Sequence, residues 1–218
     1  MSTDDAGVEV DAVDHARGRE AQRGQSLVEL SMILPVFFLL LLGMLEFGFA
    51  FDHLLTISYA SREGARVGAA LANGGGTLGC GTGQSPNAAN VDPQIIAAVE
   101  RVLTSPGSLV SLSNVSQVRI YLATSAGAET AGSVNTWTYS PGAGPIIDGD
   151  PLDFVAGTTQ WNACSRSSTL PAQSIGVAIS YRYPFTTPLG GVLRLVGGAS
   201  ATGLDITDRT VMALNPTQ

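Results

Sequence analysis

Arg23 to Phe51 reads RGQSLVELSMILPVFFLLLLGMLEFGFAF, and this stretch decides the fold. Leu30 to Leu45 carries no charge, and tolerating Glu29 and Glu46 extends the apolar run from Leu27 to Phe51. A bilayer core needs roughly twenty residues of helix. A buried helix of a soluble protein shows one apolar face, whereas this run is apolar all round. A membrane span is therefore expected, about 27–51. It is too long for a signal core and no A-x-A site follows it, so a cleaved secretory signal is not expected. Arg17, Arg19 and Arg23 precede the span closely, while the next basic residue is Arg62. That bias predicts the N-terminus in the cytoplasm and everything after Phe51 on the other side.

The two carboxylates need an account, because a lone carboxylate in an apolar helix bundle is costly. Glu29 is either solvated at the headgroups or paired with a counter-charge one helical turn away. For Glu46, near the far boundary, two environments stand open: snorkelling into water, or pairing with an Arg or polar group of a partner. Pro35 is expected to bend or loosen the helix.

Helical spacing continues past the span through DHLLTISYASREGARVGAALA. Ala60, Gly64, Gly68 and Ala72 recur every fourth residue, with Ser61, Ala65 and Ala69 beside them, a small-residue stripe that lets helices approach closely; base composition alone would also enrich Ala and Gly. Arg62 and Arg66 share a face, and Glu63 reaches Arg66 at i,i+3. The helix is expected to end at Ala72, before Asn73–Gly76.

The junction RGQSLVE, with Gly24, Gln25 and Glu29, resembles the processing site of type IV prepilins, where a membrane peptidase cuts after the glycine. On that resemblance the amine of a new N-terminal Gln25 neutralises Glu29. A wider resemblance covers about fifty residues, the span plus SYASREGARVGAA. These look like the TadE family, the pseudopilins of tight-adherence (Flp-type) pilus assembly. The matching residues are Gly24, Glu29, Pro35, Glu46, Phe47, Arg62, Glu63, Gly64, Ala65 and Arg66. SIGVAISYRYPFTTPL is similar to the family's late strand, with aromatic-x-aromatic before T-P. The resemblance implies a prepilin peptidase, other pilin-type or Tad assembly subunits and the lipid bilayer as partners. Glu29, Pro35, Glu46, Arg62, Glu63, Gly64, Arg66 and Gly68 are then expected in subunit packing. Residues 1–24 are expected to be a leader, acidic in bulk, that the peptidase removes.

Residues 73–218 are expected to form an exported α+β domain on the stalk of residues 25–72. VDPQIIAAVERVLTS predicts a helix capped by Asp92 with Pro93 first, and Ile95, Ile96, Val99, Val102 and Leu103 on its apolar face. Strands are predicted at 117–123, 134–139, 174–183 and 204–214, with a long loop over 140–171. TTPLGGVLRLVGG is expected to be loop and packing. Outside the cytosol, Cys80 and Cys164 are expected to form a disulfide.

Net charge is −7 and all eleven basic residues are arginine, which excludes general nucleic-acid binding by clustered phosphate contacts. Both histidines, His15 and His53, precede the domain expected over residues 73–218, so no histidine triad or common zinc set is expected there. Asp148, Asp150 and Asp153 in DGDPLD fall short of a calcium loop and predict a solvated turn. No cofactor or metal is expected. Two rivals to the pilus-assembly reading remain at this level. One is an uncleaved anchor displaying a binding domain, the other a membrane-anchored enzyme.

Overall fold

The computed structural model describes residues 6–71, 88–168, 171–197 and 203–214. Helix α1 runs over Ala6–Ala70, 65 residues with Pro35 inside, about 98 Å at 1.5 Å per residue. It starts well before the expected Leu27 because nothing between Ala6 and Gly24 breaks it: that stretch has no proline and many good helix formers. It ends at Ala70, and the expected terminator at Asn73–Gly76 lies outside the described residues.

The helix has two halves with different environments. From Gln25 to Leu41 every residue is exposed, so the apolar side chains there have no partner within the chain. From Glu46 onward one face is buried: Glu46, Ala50, His53, Ile57, Ala60, Gly64 and Gly68 recur at three or four residues. That is the spacing of a single helical face. The apolar segment Gln25–Ala70 fits a single-pass membrane anchor by length and hydropathy, and its second half is built into the folded head.

The head is α+β. Helix α2, Ala88–Leu103, packs beside α1 through Ile95, Ile96, Val99 and Leu103, all buried. It begins four residues before the predicted cap. Asp92 lies inside it and does not cap, because its carboxylate is taken by a buried arginine; Pro93 then sits in the second turn.

Strands β1 (Val115–Ala123) and β2 (Glu129–Tyr139) form a hairpin. The predicted loop over 140–171 contains more order than expected. A minimal hairpin joins β3 (Ile146–Ile147) and β4 (Asp150–Pro151). Its turn places Asp148 at φ 54° and Gly149 at φ 95°, the left-handed pair that an Asp-Gly hairpin turn requires. Strand β5 (Phe154–Thr159) then adds to the sheet edge beside β2. Strands β6 (Ser174–Pro184) and β7 (Gly203–Ala213) pair along their whole lengths. Between them α3, Leu189–Gly197, is a helix where a loop is expected. Its first amide is received by the Thr187 hydroxyl at 3.3 Å. The fully antiparallel order is β5-β2-β1-β6-β7.

Strand β6 runs antiparallel to α1 and forms the floor beneath it. At Gly64 a Cβ would lie 2.7 Å from Val99 Cγ2 and 3.3 Å from Val177 Cγ1, and at Gly68 it would lie 2.7 Å from Ile175 Cδ1. The small-residue stripe admits α2 and β6 of the same chain, where the expectation was another subunit's helix. Gly64→Leu tests this approach. Helix propensity favours leucine by under about 1 kcal/mol, whereas overpacking costs about 1–3 kcal/mol. A net loss of about 1–2 kcal/mol in thermal unfolding of the detergent-solubilised protein is expected; an unchanged midpoint would refute the contact.

Candidate functional site

The chemistry of this chain concentrates where α1 leaves its fully exposed half. Glu46 is 3% exposed, and each of its oxygens accepts hydrogen bonds from the end of β6 and the segment after it. The Tyr183 hydroxyl donates to Oε1 at 2.6 Å and the Thr186 backbone N–H donates to the same oxygen at 2.8 Å. The Thr187 N–H donates to Oε2 at 2.9 Å. Thr186 Oγ1 adds a longer contact at 3.4 Å. Hydrogen bonds to an ionised acceptor are the stronger kind, and four donors on one carboxylate replace the water it has lost. Glu46 does not snorkel into water: it is held by its own chain, 137 residues onward.

Local sequence explains the shape of this clasp. Tyr183 is the last inward-facing aromatic of β6, and Pro184 ends that strand. The chain then turns through Phe185-Thr186-Thr187, which leaves two consecutive amides without strand partners and aimed at α1. Unpaired amides beside a buried carboxylate are costly for both, so the carboxylate and the turn satisfy each other. Burial, and then the hydrogen bond to Glu46, pushes the Tyr183 phenol up to about 12; it remains a donor at neutral pH.

His53 lies two turns further along α1, 4% exposed. Its Nδ1 is 2.8 Å from the Phe49 carbonyl, and its ring lies 4.9 Å from Tyr183 and 5.6 Å from Tyr181 between centroids. A cavity of about 550 Å³ opens beside it, lined mainly by apolar surface from Phe49, Leu109, Tyr181 and Pro184. Two further turns up, Ser61 Oγ donates to Asp208 Oδ2 at 2.5 Å and lies 2.9 Å from Thr210 Oγ1. Polar contacts thus tie α1 to β6 and β7 at two heights.

The other predicted residues lie on open surface. Gln25 Nε2 donates to Glu29 Oε1 at 3.3 Å, so residues 25 and 29 are within reach of one another, both exposed. Pro35 is exposed in the helix. Arg66 pairs with Glu63 at 2.5 and 2.8 Å on the outer face, and Arg62 is exposed beside them. Cys164 sits in a short 3-10 turn, Ala163–Ser165; Cys80 lies outside the described residues, and with it the expected pairing.

Residues 24–66 match the TadE-like protein family. The TadE-like segment therefore starts at the glycine of the prepilin-like junction and ends at Arg66, and it includes Glu46. Its clasp partners, Tyr183, Thr186 and Thr187, lie outside it. No curated protein and no solved structure matches the chain.

A second polar cluster, unforeseen in the sequence, fixes α2 on the sheet. Arg166 is 1% exposed and pairs with Asp92 at 2.6 Å. Its guanidinium carbon stands 4.4 Å from the Trp161 ring centroid, within cation–π range. Asn135 donates to Asp92 Oδ2 and to the Trp161 carbonyl, and receives the Trp161 N–H, each at 2.7 Å. No local signal marks it, since an arginine among serines reads as a surface loop. Among the described residues no group of three His, Cys, Asp or Glu side chains is arranged to hold a metal.

Proposed function

We propose that this chain is a structural, pseudopilin-like subunit of a tight-adherence (Flp-type) pilus assembly machine. The observation that carries the reading is the TadE-like match over residues 24–66, which begins at the prepilin-like junction itself. In this reading α1 crosses the cell membrane with residues 1–24 in the cytoplasm, and the head is exported. A prepilin peptidase cuts between Gly24 and Gln25, and the new amine neutralises Glu29 within a chain or between neighbours. The chain catalyses no reaction of its own. Because Glu46, Gly64 and Gly68 are occupied within the chain, the surface offered to other pilin-type subunits is the exposed half of α1 carrying Glu29 and Pro35, continued by Arg62 and Arg66. Export also places Cys80 and Cys164 where a disulfide forms, closing a loop of about eighty-five residues for a few kcal/mol of stability.

Mass spectrometry of the N-terminus in cells co-expressing the peptidase tests the reading. A mature chain beginning at Gln25, and its loss in Gly24→Arg, is expected. An intact leader under those conditions overturns processing and favours an uncleaved anchor displaying a binding head. Glu29→Ala is expected to reduce pilus output without changing the amount of protein in the membrane; unchanged output contradicts the pairing of Glu29.

A further inference from the structure

The membrane end of the head is not a neutral polar surface. Six large apolar side chains after α1 are exposed among the described residues: Leu109, Ile146, Val192, Leu193, Leu195 and Leu204. Five of the six sit at one end. Leu204 pairs with Tyr183 across β6 and β7, and Leu109 lines the cavity shared with Phe49 and His53 of α1. The other three belong to α3, which begins two residues after the Thr187 amide that holds Glu46. Helix α3 also touches α1.

Register fixes the level of this end. From Gln25 to Glu46 α1 rises about 31 Å, close to the thickness of a bilayer's hydrocarbon core. If the exposed half of α1 occupies lipid, Glu46 lies at the outer boundary. The clasp then holds α3 at that same depth. Leu195 is 87% exposed there, a costly position in water for so large an apolar side chain. Arg194, the basic residue of the last turn, stands between two leucines, as in helices that lie in the headgroup layer with apolar residues inward and cations at the phosphates.

We propose that α3, with Leu109 and Leu204, is a second membrane contact: a short interfacial helix that seats the head directly on the outer leaflet. The occupant of this apolar face is lipid, continuous with the lipid around the exposed half of α1. The clasp on Glu46 is what presents α3 at the right height, and the head stands on the bilayer with no free stalk beneath it.

The inference rests on the reading that α1 spans a membrane, and the experiment separates the two. The full chain is reconstituted in phosphatidylcholine–phosphatidylglycerol nanodiscs, with or without lipids brominated on the acyl chain near the headgroup. Three variants each add one tryptophan to the native pair: Leu40→Trp in the span, Leu195→Trp in α3 and Ala126→Trp in the exposed β1–β2 turn at the opposite end of the sheet. Expected is loss of most of the added emission from Leu195→Trp in brominated discs, and none from Ala126→Trp. Quenching of Leu40→Trp without quenching of Leu195→Trp overturns the α3 contact and leaves the anchor standing. No quenching of Leu40→Trp overturns both. Emission from Leu195→Trp that is blue-shifted yet unaffected by bromine, and that reddens as protein per disc is lowered, assigns the face to a second copy and likewise refutes lipid.

Discussion

Glu46→Ala is expected to lower the stability of the folded head by about 2–3 kcal/mol, since it leaves the buried Tyr183 hydroxyl and two part-buried amides without their acceptor, and a buried unpaired donor alone costs about 1–3 kcal/mol. Those donors are the Tyr183 hydroxyl and the Thr186 and Thr187 amides. Truncating a side chain this deep also leaves a void beside Tyr183, which is wholly buried. Glu46→Gln tests the chemistry at constant size. One carboxamide oxygen still accepts, but the amide nitrogen now faces a donor, so an intermediate loss is expected. Thermal unfolding of the three proteins in the same detergent gives the ranking wild type, Gln, Ala. Equal midpoints for wild type and Ala would mean that the clasp does not form in solution. Tyr183→Phe, which removes one donor and its need together, is expected to cost less than Glu46→Ala.

Arg166→Ala is the other substitution with a large expected effect, about 3–5 kcal/mol, the cost of removing one member of a buried ion pair. Asp92 would keep only the Asn135 amide, and Trp161 would lose the cation on its face. The pair need not be stabilising relative to an apolar pair of the same shape. Arg166 Nε and Nη1 have no hydrogen-bond partner among the described residues, so part of the guanidinium's desolvation is uncompensated. The double variant Asp92→Ala, Arg166→Met is therefore expected to be more stable than either single variant, a coupling visible in a double-mutant cycle. Additive losses would contradict the geometry of the pair.

Much of the fold is legible in the sequence where one segment carries its own periodicity. The apolar run over 27–51 has no face, and the structure leaves it exposed up to Leu41. The face of α2 through Ile95, Ile96, Val99 and Leu103 follows from 3.6-residue spacing, and β6 follows from the alternation of Ile175, Val177, Ile179, Tyr181 and Tyr183. What was not legible depends on pairs far apart in the chain. Asp92 has the form of a cap, and only Arg166, 74 positions later, draws it away. Strand β5 carries Ala156-Gly157 at its centre, weak strand formers held by the edge of β2. The short helix α3 contains adjacent glycines, which discount helix, yet Gly190 is the residue that fits against Phe185, where a Cβ would lie 2.8 Å away.

The clasp sits between these cases. Both halves are visible in the sequence: an acid late in an apolar run, and an aromatic-x-aromatic strand ending before T-P. Nothing in one dimension says that they meet. Charge alone suggests water or a cationic partner for Glu46, because sequence reading counts side chains and overlooks backbone amides. Two amides freed by the end of β6 supply what a cation would have supplied. The same union changes what the small-residue stripe does: Gly64 and Gly68 bring α1 close to its own sheet, and the joint between helix and head is packed above and hydrogen-bonded below.

That joint is tested most directly by amide hydrogen exchange at Thr186 and Thr187 in the full chain held in nanodiscs. Locked to Glu46, both amides are expected to exchange as slowly as those in the middle of β6, and to become fast in Glu46→Ala while the centre of the sheet stays protected. Exchange at the rate of an open loop in the wild-type protein, or protection that Glu46→Ala leaves intact, would contradict the account.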